Sequence, residues 1–458
     1  MNHKLLIISL LILVCTGLHA QEKLSLNEAI QRGLEQNYDI RIERRNVEIA
    51  ENNNSWGEAG MMPNVSLNAT SNNSVFNNKS GDQFFNGATF PGFELNNQRN
   101  RSVTPSVNAN MTIFNGFKVR HNKSRLENLQ RETQGNAEIV IANTVQAIVL
   151  GYYVAVLEKE RLDVFKKQLA LSRYKYNKVK VRKDLGSAVS TDLLLEEGNY
   201  LNDSVNYINQ QLRYRDSIRD LNFLINERNI DHDYQFVDEL RDEVEEIEYA
   251  KLANKLESKN IDLQTLYLSQ SVLNNDVAIA KADRMPQLSM DLGYRYNRTV
   301  QDLTDATSPN ADIQTPPDVS VNKRGTYYAN FTLSFTLFNG NRINRAIKNA
   351  MVREDIGNLR VDRMRLSLNR DLADTYDQYQ TRKLLYNINQ RRVAASQTNL
   401  NISENKFETG SINSFDFRTV QNNNLDASIQ ALNSLYDLIE SKVSLMRLTG
   451  GIIDNYVN

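Results

Sequence analysis

The sequence predicts a mixed α and β membrane protein in which each chain contributes four strands and a set of long antiparallel coiled helices. Three observations indicate this class. One unit of about two hundred residues occurs twice, a period far longer than the roughly 20–50 residues of solenoid repeats. Two stretches of roughly seventy residues lack proline and step helically. Four short segments alternate apolar and polar side chains, as half-buried strands do.

The internal repeat is visible as short motifs that return at a nearly constant spacing. The shift is 286 − 63 = 223 residues for the earlier motifs and 338 − 114 = 224 for the later ones. The matched sets are Asn37, Asp39 and Pro63 with Asn260, Asp262 and Pro286; Phe114-Asn115-Gly116 with Phe338-Asn339-Gly340; and Gly186, Ser187 and Asp192 with Gly410, Ser411 and Asp416. The sequence therefore predicts twofold internal symmetry.

Residues 1–20 have the pattern of a secretory signal peptide. Lys4 precedes an apolar core over residues 5–18, and Ala20 stands directly before Gln21. This core is too short for a spanning helix, which needs ~20 residues. A lipoprotein signal around Cys15 is disfavoured, because Val14 stands where such signals carry a small residue. We therefore expect the chain to leave the cytoplasm.

Composition excludes several classes of function. Removing the signal leaves 54 − 1 = 53 basic against 55 acidic residues, a net charge of −2, so no nucleic-acid partner is expected. The same cleavage removes the only cysteine and leaves His121 and His232. Without a cysteine or histidine cluster, a phosphate loop or a nucleophile constellation, the sequence predicts no metal site, no cofactor, no catalytic residue and no enzyme. No other stretch predicts a transmembrane helix.

The alternating segments are predicted as strands at about 63–72, 103–114, 286–297 and 327–338. In the second segment, Val107, Ala109 and Met111 alternate with Asn108 and Asn110. The better segments run about eleven residues, which suits the ~9–11 residues of a tilted transmembrane strand. A soluble antiparallel sheet with one wet face would show the same alternation. Residues 72–102 and 297–325, rich in Asn, Gly and Ser, are predicted as long exposed loops.

Residues 116–186 and 340–410 are predicted as helices of roughly 105 Å, at about 1.5 Å per residue. Apolar residues step by four and three along the first, for instance Ile141, Val145 and Ile148, as in left-handed coiled packing. The same stepping follows in 201–212 and 425–446, and shorter helices are expected over 27–60 and 192–225. A local break is expected at Gly135 or Gly151, because each glycine costs ~1 kcal/mol against alanine.

Glycine turns are predicted to join the helices at tip hairpins of about 184–192 and 408–416. Glycine ends a helix, Ser190 and Ser414 can cap the next one, and Asp192 and Asp416 suit its positive N-terminus. A purely structural role therefore explains the serines and aspartates. The domain plan is a first repeat over 21–228, an acidic linker over 229–248, a second repeat over 249–450 and a short tail over 451–458.

The number of strands decides the assembly. Unpaired backbone groups in hydrocarbon cost several kcal/mol each, so a sheet inside a membrane must close on itself. Four strands are too few, since membrane barrels begin at about eight. If the strands are embedded, the chain must therefore oligomerise, and three copies would supply about twelve strands.

The order and spacing of the motifs resemble those of the TolC-like outer membrane efflux proteins, also called outer membrane factors. The resemblance covers residues of about 24–450 as two tandem copies. Its markers are Leu-Asn-Glu-Ala-Ile at 26–30, the Met-Pro pairs at 62–63 and 285–286, the two Phe-Asn-Gly motifs and the two Gly-Ser…Asp hairpins. It implies a homotrimer with a twelve-stranded transmembrane β-barrel and a trimeric α-barrel tunnel. The implied location is the outer membrane of a Gram-negative bacterium, with the tunnel extending into the periplasm.

The resemblance also implies the function and the partners. It implies a passive export duct of a tripartite efflux or type I secretion system that contacts outer membrane lipid, a periplasmic adaptor protein and, through the adaptor, an inner-membrane pump. The implied adaptor-docking and aperture residues are those at the tips: Gly186, Ser187, Asp192, Gly410, Ser411 and Asp416. The alternative function is a periplasm-spanning structural or adhesive coiled coil, for which the strands and the repeat have no evident use.

Overall fold

The computed structural model describes residues 22–90, 92, 94–240, 246–304 and 319–456. The predicted signal peptide lies outside the described residues, as do residues 241–245 of the predicted linker and 457–458 of the predicted tail. The helices of the described residues are α1 Leu26–Gln36, α2 Tyr38–Asn53, α3 Lys118–Asp184, α4 Ser190–Leu224, α5 Tyr249–Lys259, α6 Ile261–Ala282, α7 Arg342–Glu408, α8 Ser414–Leu448 and α9 Gly451–Tyr456.

The strands form one main sheet and two small ones. The described strands are β1 Glu22–Leu24, β2 Asn64–Lys79, β3 Gln83–Phe85, β4 Ala88–Phe90, β5 Glu94–Asn115, β6 Tyr234–Phe236, β7 Gln287–Asp302 and β8 Val319–Ser334. The main sheet is antiparallel with the order β2-β5-β7-β8. In the small sheets β1 pairs with β6 in parallel, and β3 pairs with β4 antiparallel.

The chain divides into two compact units. Of the described residues, those up to 49 together with those in 131–268 and 358–458 form the helical unit, and those in 50–130 and 269–357 form the sheet unit. The helical unit has two core clusters, one of α5, α6, α7 and α8 residues and a larger one from α1, α3, α4 and α8, with Ile148 and Tyr152 of α3 fully buried in the larger one. Strand β6 lies within the segment predicted as an acidic linker, where Tyr234 is 2% exposed and belongs to this core.

A helix break occurs at the same place in each repeat, where one helix was predicted over 27–60. Asn37 separates α1 from α2, and Asn260 separates α5 from α6. The Asn37 Oδ1 accepts from the backbone N–H of Asp39 at 2.9 Å, and the Asn260 Oδ1 accepts from that of Leu263 at 2.8 Å. Each Nδ2 donates to the carbonyl of the last residue of the returning helix, Leu224 or Leu448. The asparagines therefore cap a new helix and anchor the break to a neighbour.

The predicted break of the first long helix at Gly135 or Gly151 is wrong, because α3 continues through both. These glycines serve close packing instead. A Cβ on Gly135 would lie 2.3 Å from the Thr265 Oγ1, and a Cβ on Gly151 would lie 2.8 Å from the Leu224 Cδ1. The same helix also contains a window that is long and apolar enough to cross a membrane by length and composition alone. In that window 39% of the residues are buried inside the structure, and the same helix carries the core residues Ile148 and Tyr152.

The main sheet has one apolar and one polar face, as its register shows. Residues directly opposite one another share a face. One row on the apolar face is Val65, Ala109, Leu292 and Ala329, and the next is Leu67, Val107, Tyr294 and Tyr327. The row between them, on the polar face, is Ser66, Asn108, Gly293 and Tyr328. The predicted alternation therefore continues across all four strands.

The strand boundaries differ from those predicted. Strand β2 runs on to Lys79 and β5 begins at Glu94, so much of the predicted loop over 72–102 is paired strand. Strand β7 extends to Asp302, and β8 starts at Val319 and ends at Ser334, short of the predicted 338. A ladder needs only backbone partners, so Asn- and Ser-rich segments continue it where the apolar alternation stops. Beyond Ser334, which pairs with the first residue of β7, the β7 strand offers no further partner.

Candidate functional site

The two predicted tip hairpins are built from the same backbone hydrogen bonds. Gly186 has φ +72° and Gly410 has φ +76°, in the left-handed region that favours glycine. At the first hairpin the Ser187 N–H donates to the Arg182 carbonyl at 2.8 Å, and the Gly186 N–H donates to the Lys183 carbonyl at 2.9 Å. These two bonds define a Schellman motif, which ends α3.

The second hairpin repeats this geometry and ends α7. The Ser411 N–H donates to the Lys406 carbonyl at 2.7 Å, and the Gly410 N–H donates to the Phe407 carbonyl at 3.2 Å. No described atom outside the immediate chain neighbours lies within 4 Å of a Cβ position on Gly410, and the same holds for Gly186. Both turns therefore present open backbone on which another molecule can rest.

The N-caps of the helices that follow the turns lie one residue earlier than predicted. The N-cap residues are Val189 and Asn413, so Ser190 and Ser414 are the first helical residues and not the caps. The Asn413 Oδ1 accepts from the Asp416 N–H at 2.8 Å, whereas Val189 has no polar side chain. An asparagine already supplies the acceptor at the second turn, so Ser414 is not needed there.

The remaining predicted site residues lie on the surface of the hairpins. Ser187 and Ser411 are exposed, and their hydroxyls bond locally, to the Arg182 carbonyl and the Thr409 hydroxyl respectively. Asp192 and Asp416 lie in the first turns of α4 and α8, where a carboxylate suits the helix dipole. Asp416 is exposed and Asp192 is half-buried.

Apolar side chains are exposed around the same turns. Leu185 is 78% exposed and Val189 60% at the first turn, and Phe415 is 70% exposed at the second. A single exposed apolar side chain is common on a protein surface. Several of them beside open backbone form a surface suited to contact with another protein. The glycine, serine and aspartate pattern of the turns does not predict these apolar side chains, because no periodicity marks them.

A buried cluster of charged residues lies at the junction of four helices, within about five helical turns of the two hairpin turns in sequence. The Lys175 Nζ lies 3.1 Å from the Glu196 Oε1, and their side chains are 1% and 0% exposed. Arg418 donates to both oxygens of the buried Asp203 carboxylate, at 2.7 and 2.8 Å. The Lys175 Nζ also lies 5.0 and 4.7 Å from the ring centres of Phe407 and Phe417. The cluster thus ties α3 and α4 of the first repeat to α7 and α8 of the second.

Burial shifts the acid–base balance of this cluster. It lowers the pKa of the Lys175 ammonium, because desolvation disfavours the charged form, and the facing Glu196 carboxylate opposes that shift. Neither the pattern nor the spacing of these residues predicted the cluster, because a lysine or glutamate on a long helix usually marks a solvated face.

The charged cluster breaks the internal symmetry. With the shift of 224 residues, the positions that correspond to Lys175, Glu196, Asp203 and Arg418 are Asn399, Val420, Ala427 and Leu194. The ion pairs therefore cannot form at the repeat-equivalent junction. The ion pairs occur only where α3 and α4 of the first repeat meet α8 of the second repeat within one chain.

An apolar stripe on α4 also distinguishes the two repeats. Its members are 54–61% exposed: Leu201, Val205, Ile208 and Leu212. The corresponding residues on α8 are only half-exposed or less, and two of them, Leu432 and Tyr436, pack against the core. The stripe on α4 has the periodicity of a packed seam and is left uncovered in the single chain.

The described residues contain no group of three or more His, Cys, Asp or Glu placed to hold a metal ion. The family model for outer membrane efflux proteins matches residues 252–451, which lie in the second repeat. No curated protein matches the chain in sequence.

Solved structures with the same fold cover both repeats. The CmeC outer membrane channel of Campylobacter jejuni is 15% identical with a TM-score of 0.72, covering 93% of this chain and 85% of that one. VceC, an outer membrane protein of Vibrio cholerae, is 13% identical with a TM-score of 0.69, covering 93% and 96%. The open-state MtrE channel of Neisseria gonorrhoeae is 14% identical with a TM-score of 0.68, covering 93% and 89%. At such low identity the likeness establishes the fold, and the predicted fold class is confirmed.

Proposed function

Because residues 252–451 match the family model for outer membrane efflux proteins, we propose that the chain is the outer membrane duct of a tripartite efflux or type I secretion system. The TolC-like resemblance inferred from motif order is confirmed by this match and by the shared fold. The protein resides in the outer membrane and extends into the periplasm. We further propose that it is not an enzyme and that it moves its cargo passively.

The two-faced sheet is the observation that carries this proposal. An apolar face opposite a polar face suits strands that touch lipid on one side and water on the other. Strands β2 and β8 are the edges of the described sheet, so each leaves backbone groups unpaired. Exposed edges cannot persist in hydrocarbon. Three copies of the four-stranded sheet would give a closed barrel of twelve strands, an allowed number.

The helical unit supports the same assembly independently. Within one chain α3 contacts α8, where Arg447 donates to Asn143 at 2.8 Å and Lys175 donates to Gln421 at 3.3 Å. The shift of 224 residues relates α3 to α7 and α4 to α8. The repeat therefore predicts an equivalent contact between an α7 helix and an α4 helix. The uncovered α4 stripe then receives α7 of the next copy, which itself exposes Leu359, Leu366 and Leu384. Such a head-to-tail interface forms a ring when the rotation closes, and the homotrimer is our proposal.

The partners follow from the hairpin turns. We place the periplasmic adaptor on Gly186, Ser187, Gly410 and Ser411, beside the exposed Leu185, Val189 and Phe415. Open backbone and apolar side chains together suit contact with helical tips of another protein. Asp192 and Asp416 lie within the same turns and would border the aperture. The inner-membrane pump is reached through the adaptor and not by this chain.

The alternative of a periplasmic scaffold without transport is not favoured. A scaffold needs only the helices, whereas this chain retains a sheet with a lipid-type face and two open edges. Native mass measurement of detergent-extracted protein tests the assembly, and conductance across a planar bilayer tests the duct. A trimer with discrete ion-conducting events is expected. A membrane-resident monomer, or a trimer that never conducts, would contradict the proposal.

A further inference from the structure

The internal repeat extends to the register of the sheet. Asn64 lies opposite Asn110 where β2 pairs with β5, and Gln287 lies opposite Ser334 where β7 pairs with β8. Adding 223 to the first residue and 224 to the second converts one pair into the other. The two strand pairs are therefore equivalent residue by residue from Asn64 to Phe76 of β2, where a register shift interrupts the β2–β5 ladder. Contacts at this end of the sheet can be compared between the repeats.

The joint between the repeats is the pairing of β5 with β7. Its last pairs are Phe114 opposite Leu288 and Asn115 opposite Gln287. Directly beyond them, Gly116 is buried and has φ +66°. A Cβ there would lie 2.6 Å from the Met285 Cβ and 2.7 Å from the Ala282 carbonyl oxygen. The chain leaving β5 thus crosses close to the start of β7, at a point where only glycine fits.

The chain leaving β8 has the same conformation without the same partner. Gly340, the counterpart of Gly116, has φ +65°, is exposed, and has no described atom within 4 Å of its Cβ position. Phe338 is 80% exposed, whereas its counterpart Phe114 is half-buried. Strand β8 ends at Ser334, although β5 continues to the counterpart of Asn339. Residues 335–340 therefore have the form of a strand exit whose partner is missing in the single chain.

The complementary surface lies at the other edge of the sheet. The counterparts of Ala282, Met285 and Leu288 are Ala59, Met62 and Val65. Met62 and Val65 are each 64% exposed. A cavity of about 820 Å³ opens at this place, lined by Met62 with Trp56, Met61, Pro63, Phe114 and Phe117, among others. Because a four-stranded sheet cannot bring its own two edges together, the occupant is a second copy of this chain.

We propose that residues 335–340 of one copy pair with the start of β2 of the next copy in the register of the β5–β7 joint. This places Asn339 opposite Asn64, Phe338 opposite Val65 and Phe335 opposite Leu67 of the next copy. Gly340 then lies against Met62 of the next copy, as Gly116 lies against Met285 within one chain. The proposal rests on the homotrimer proposed above and adds the contact that joins its subunits.

The facing of the side chains supports the proposed register independently. Phe338 and Phe335 meet Val65 and Leu67, so apolar residues stand opposite apolar residues on one face. A slip by one residue would place Phe335 opposite Ser66 or Asn68 and turn one set of side chains to the wrong face. The repeat thus gives a register that keeps the apolar face continuous from copy to copy.

Disulfide trapping tests the register in the full-length trimer. Cys15, in the predicted signal peptide, is the only native cysteine, so engineered pairs report without background. Directly opposed residues have Cα atoms about 4.5–5.5 Å apart, within the range that a disulfide spans. We expect Asn64→Cys combined with Asn339→Cys to give covalent trimers on mild oxidation, and Val65→Cys combined with Phe338→Cys to serve as a second pair if the first assembles poorly.

Matched controls separate this result from unspecific oxidation. Asn115→Cys with Gln287→Cys is the repeat-equivalent pair and should close within one chain, giving a monomer of altered mobility. Asn68→Cys with Asn339→Cys is displaced by four residues, about 13 Å along the strand, and should not cross-link. Either single cysteine alone should give no covalent dimer, because the joint is head-to-tail.

A glycine substitution gives a second readout. Gly340→Asn should reduce the trimer fraction at least about tenfold, because asparagine tolerates positive φ and its side chain enters the proposed crossing. Gly410→Asn, at a glycine of similar φ in the helical unit, should leave the trimer intact. The register would be wrong if native trimers cross-link through the displaced pair or through single cysteines, or if they do not cross-link at all while the intrachain control closes. None of these outcomes would contradict the homotrimer. Protein that is monomeric by native mass would overturn both.

Discussion

Lys175 and Glu196 are almost completely buried, and a charge is costly to bury unless it is paired. Their contact, with the Arg418–Asp203 pair beside it, fixes how the second repeat lies against the first within the helical unit. The sequence did not reveal this cluster because no local pattern distinguishes a buried lysine from a solvated one. The sequence shows one difference between the two helix junctions. The repeat-equivalent positions of the four charged residues carry no charge: Asn399, Val420, Ala427 and Leu194.

Removing one partner of this pair should be more harmful than removing both. Glu196→Gln leaves the Lys175 ammonium buried without its counter-ion, and we expect a loss of about 3–5 kcal/mol in stability. Replacing both residues with methionine should cost much less, because no unpaired charge remains. Thermal unfolding of the detergent-solubilised protein, followed by helical circular dichroism, measures both variants. A double variant as unstable as the single one would refute the pairing.

Helical glycines provide a matched test of packing. Gly198 on α4 is exposed with no described atom within 4 Å of its Cβ position, so Gly198→Ala should stabilise the protein by about 0.5–1 kcal/mol. Gly135→Ala makes the same chemical change where the Thr265 Oγ1 lies 2.3 Å away, and it should destabilise the protein. The same unfolding measurement compares the two. Equal effects would mean that α3 and α6 do not approach each other as closely as described.

At the scale of elements, the alternation of apolar residues identified where the four strands lie but not where they end. Apolar alternation marks the part of a strand with an apolar face, whereas the ladder itself depends on backbone partners. The β2–β5 pair therefore runs through Asn-Ser-rich sequence as far as Lys79. Helix content was predictable from periodicity, but the breaks at Asn37 and Asn260 depend on tertiary contacts to Leu224 and Leu448.

The facing of β8 gives a prediction for adjacent residues. Leu333 lies opposite Leu288 on the apolar face, and Thr332 lies opposite Ser289 on the polar face. Leu333→Arg should cost roughly 2–4 kcal/mol if the position is near the bilayer midplane, and Thr332→Arg much less, since it would point into water. The fraction of assembled trimer in outer membranes compares the two variants. Equal tolerance would place the apolar face somewhere other than in lipid.

The hairpin turns give a prediction about partner contact. Exchanging Gly186 and Gly410 for isoleucine places β-branched residues at positive φ, at a cost of roughly 1–2 kcal/mol each, and adds side chains to the open backbone. We expect the protein to insert and assemble but to lose export and adaptor cross-linking in cells. Asparagine at both positions is the control for strain, because it tolerates this conformation. Unchanged export with folded isoleucine turns would leave these glycines as ordinary helix ends.

The architecture of the whole molecule was largely predictable from its internal repeat. A period of 223–224 residues, four strands and two proline-free helices were enough to predict the fold class that the comparison structures share. The sequence did not predict the contacts between elements that are distant in the chain. The crowded Gly116 and the open Gly340 have identical motifs in sequence, and only their surroundings distinguish the joint within a chain from the free edge.

If the chain is an export duct, the polar face of the sheet lines a water-filled channel, and blocking that channel through an engineered cysteine shows which face does so. Ser66 and Leu67 are neighbours on β2 that lie on opposite faces of the sheet. Each is replaced by cysteine in turn, and single-channel current is recorded in a planar bilayer before and after adding a bulky charged thiol reagent. The current should fall for Ser66→Cys and stay unchanged for Leu67→Cys. A block only at Leu67→Cys would mean that the apolar face lines the channel, and no ion-conducting channel in either variant or in the wild type would mean that the protein is not a duct.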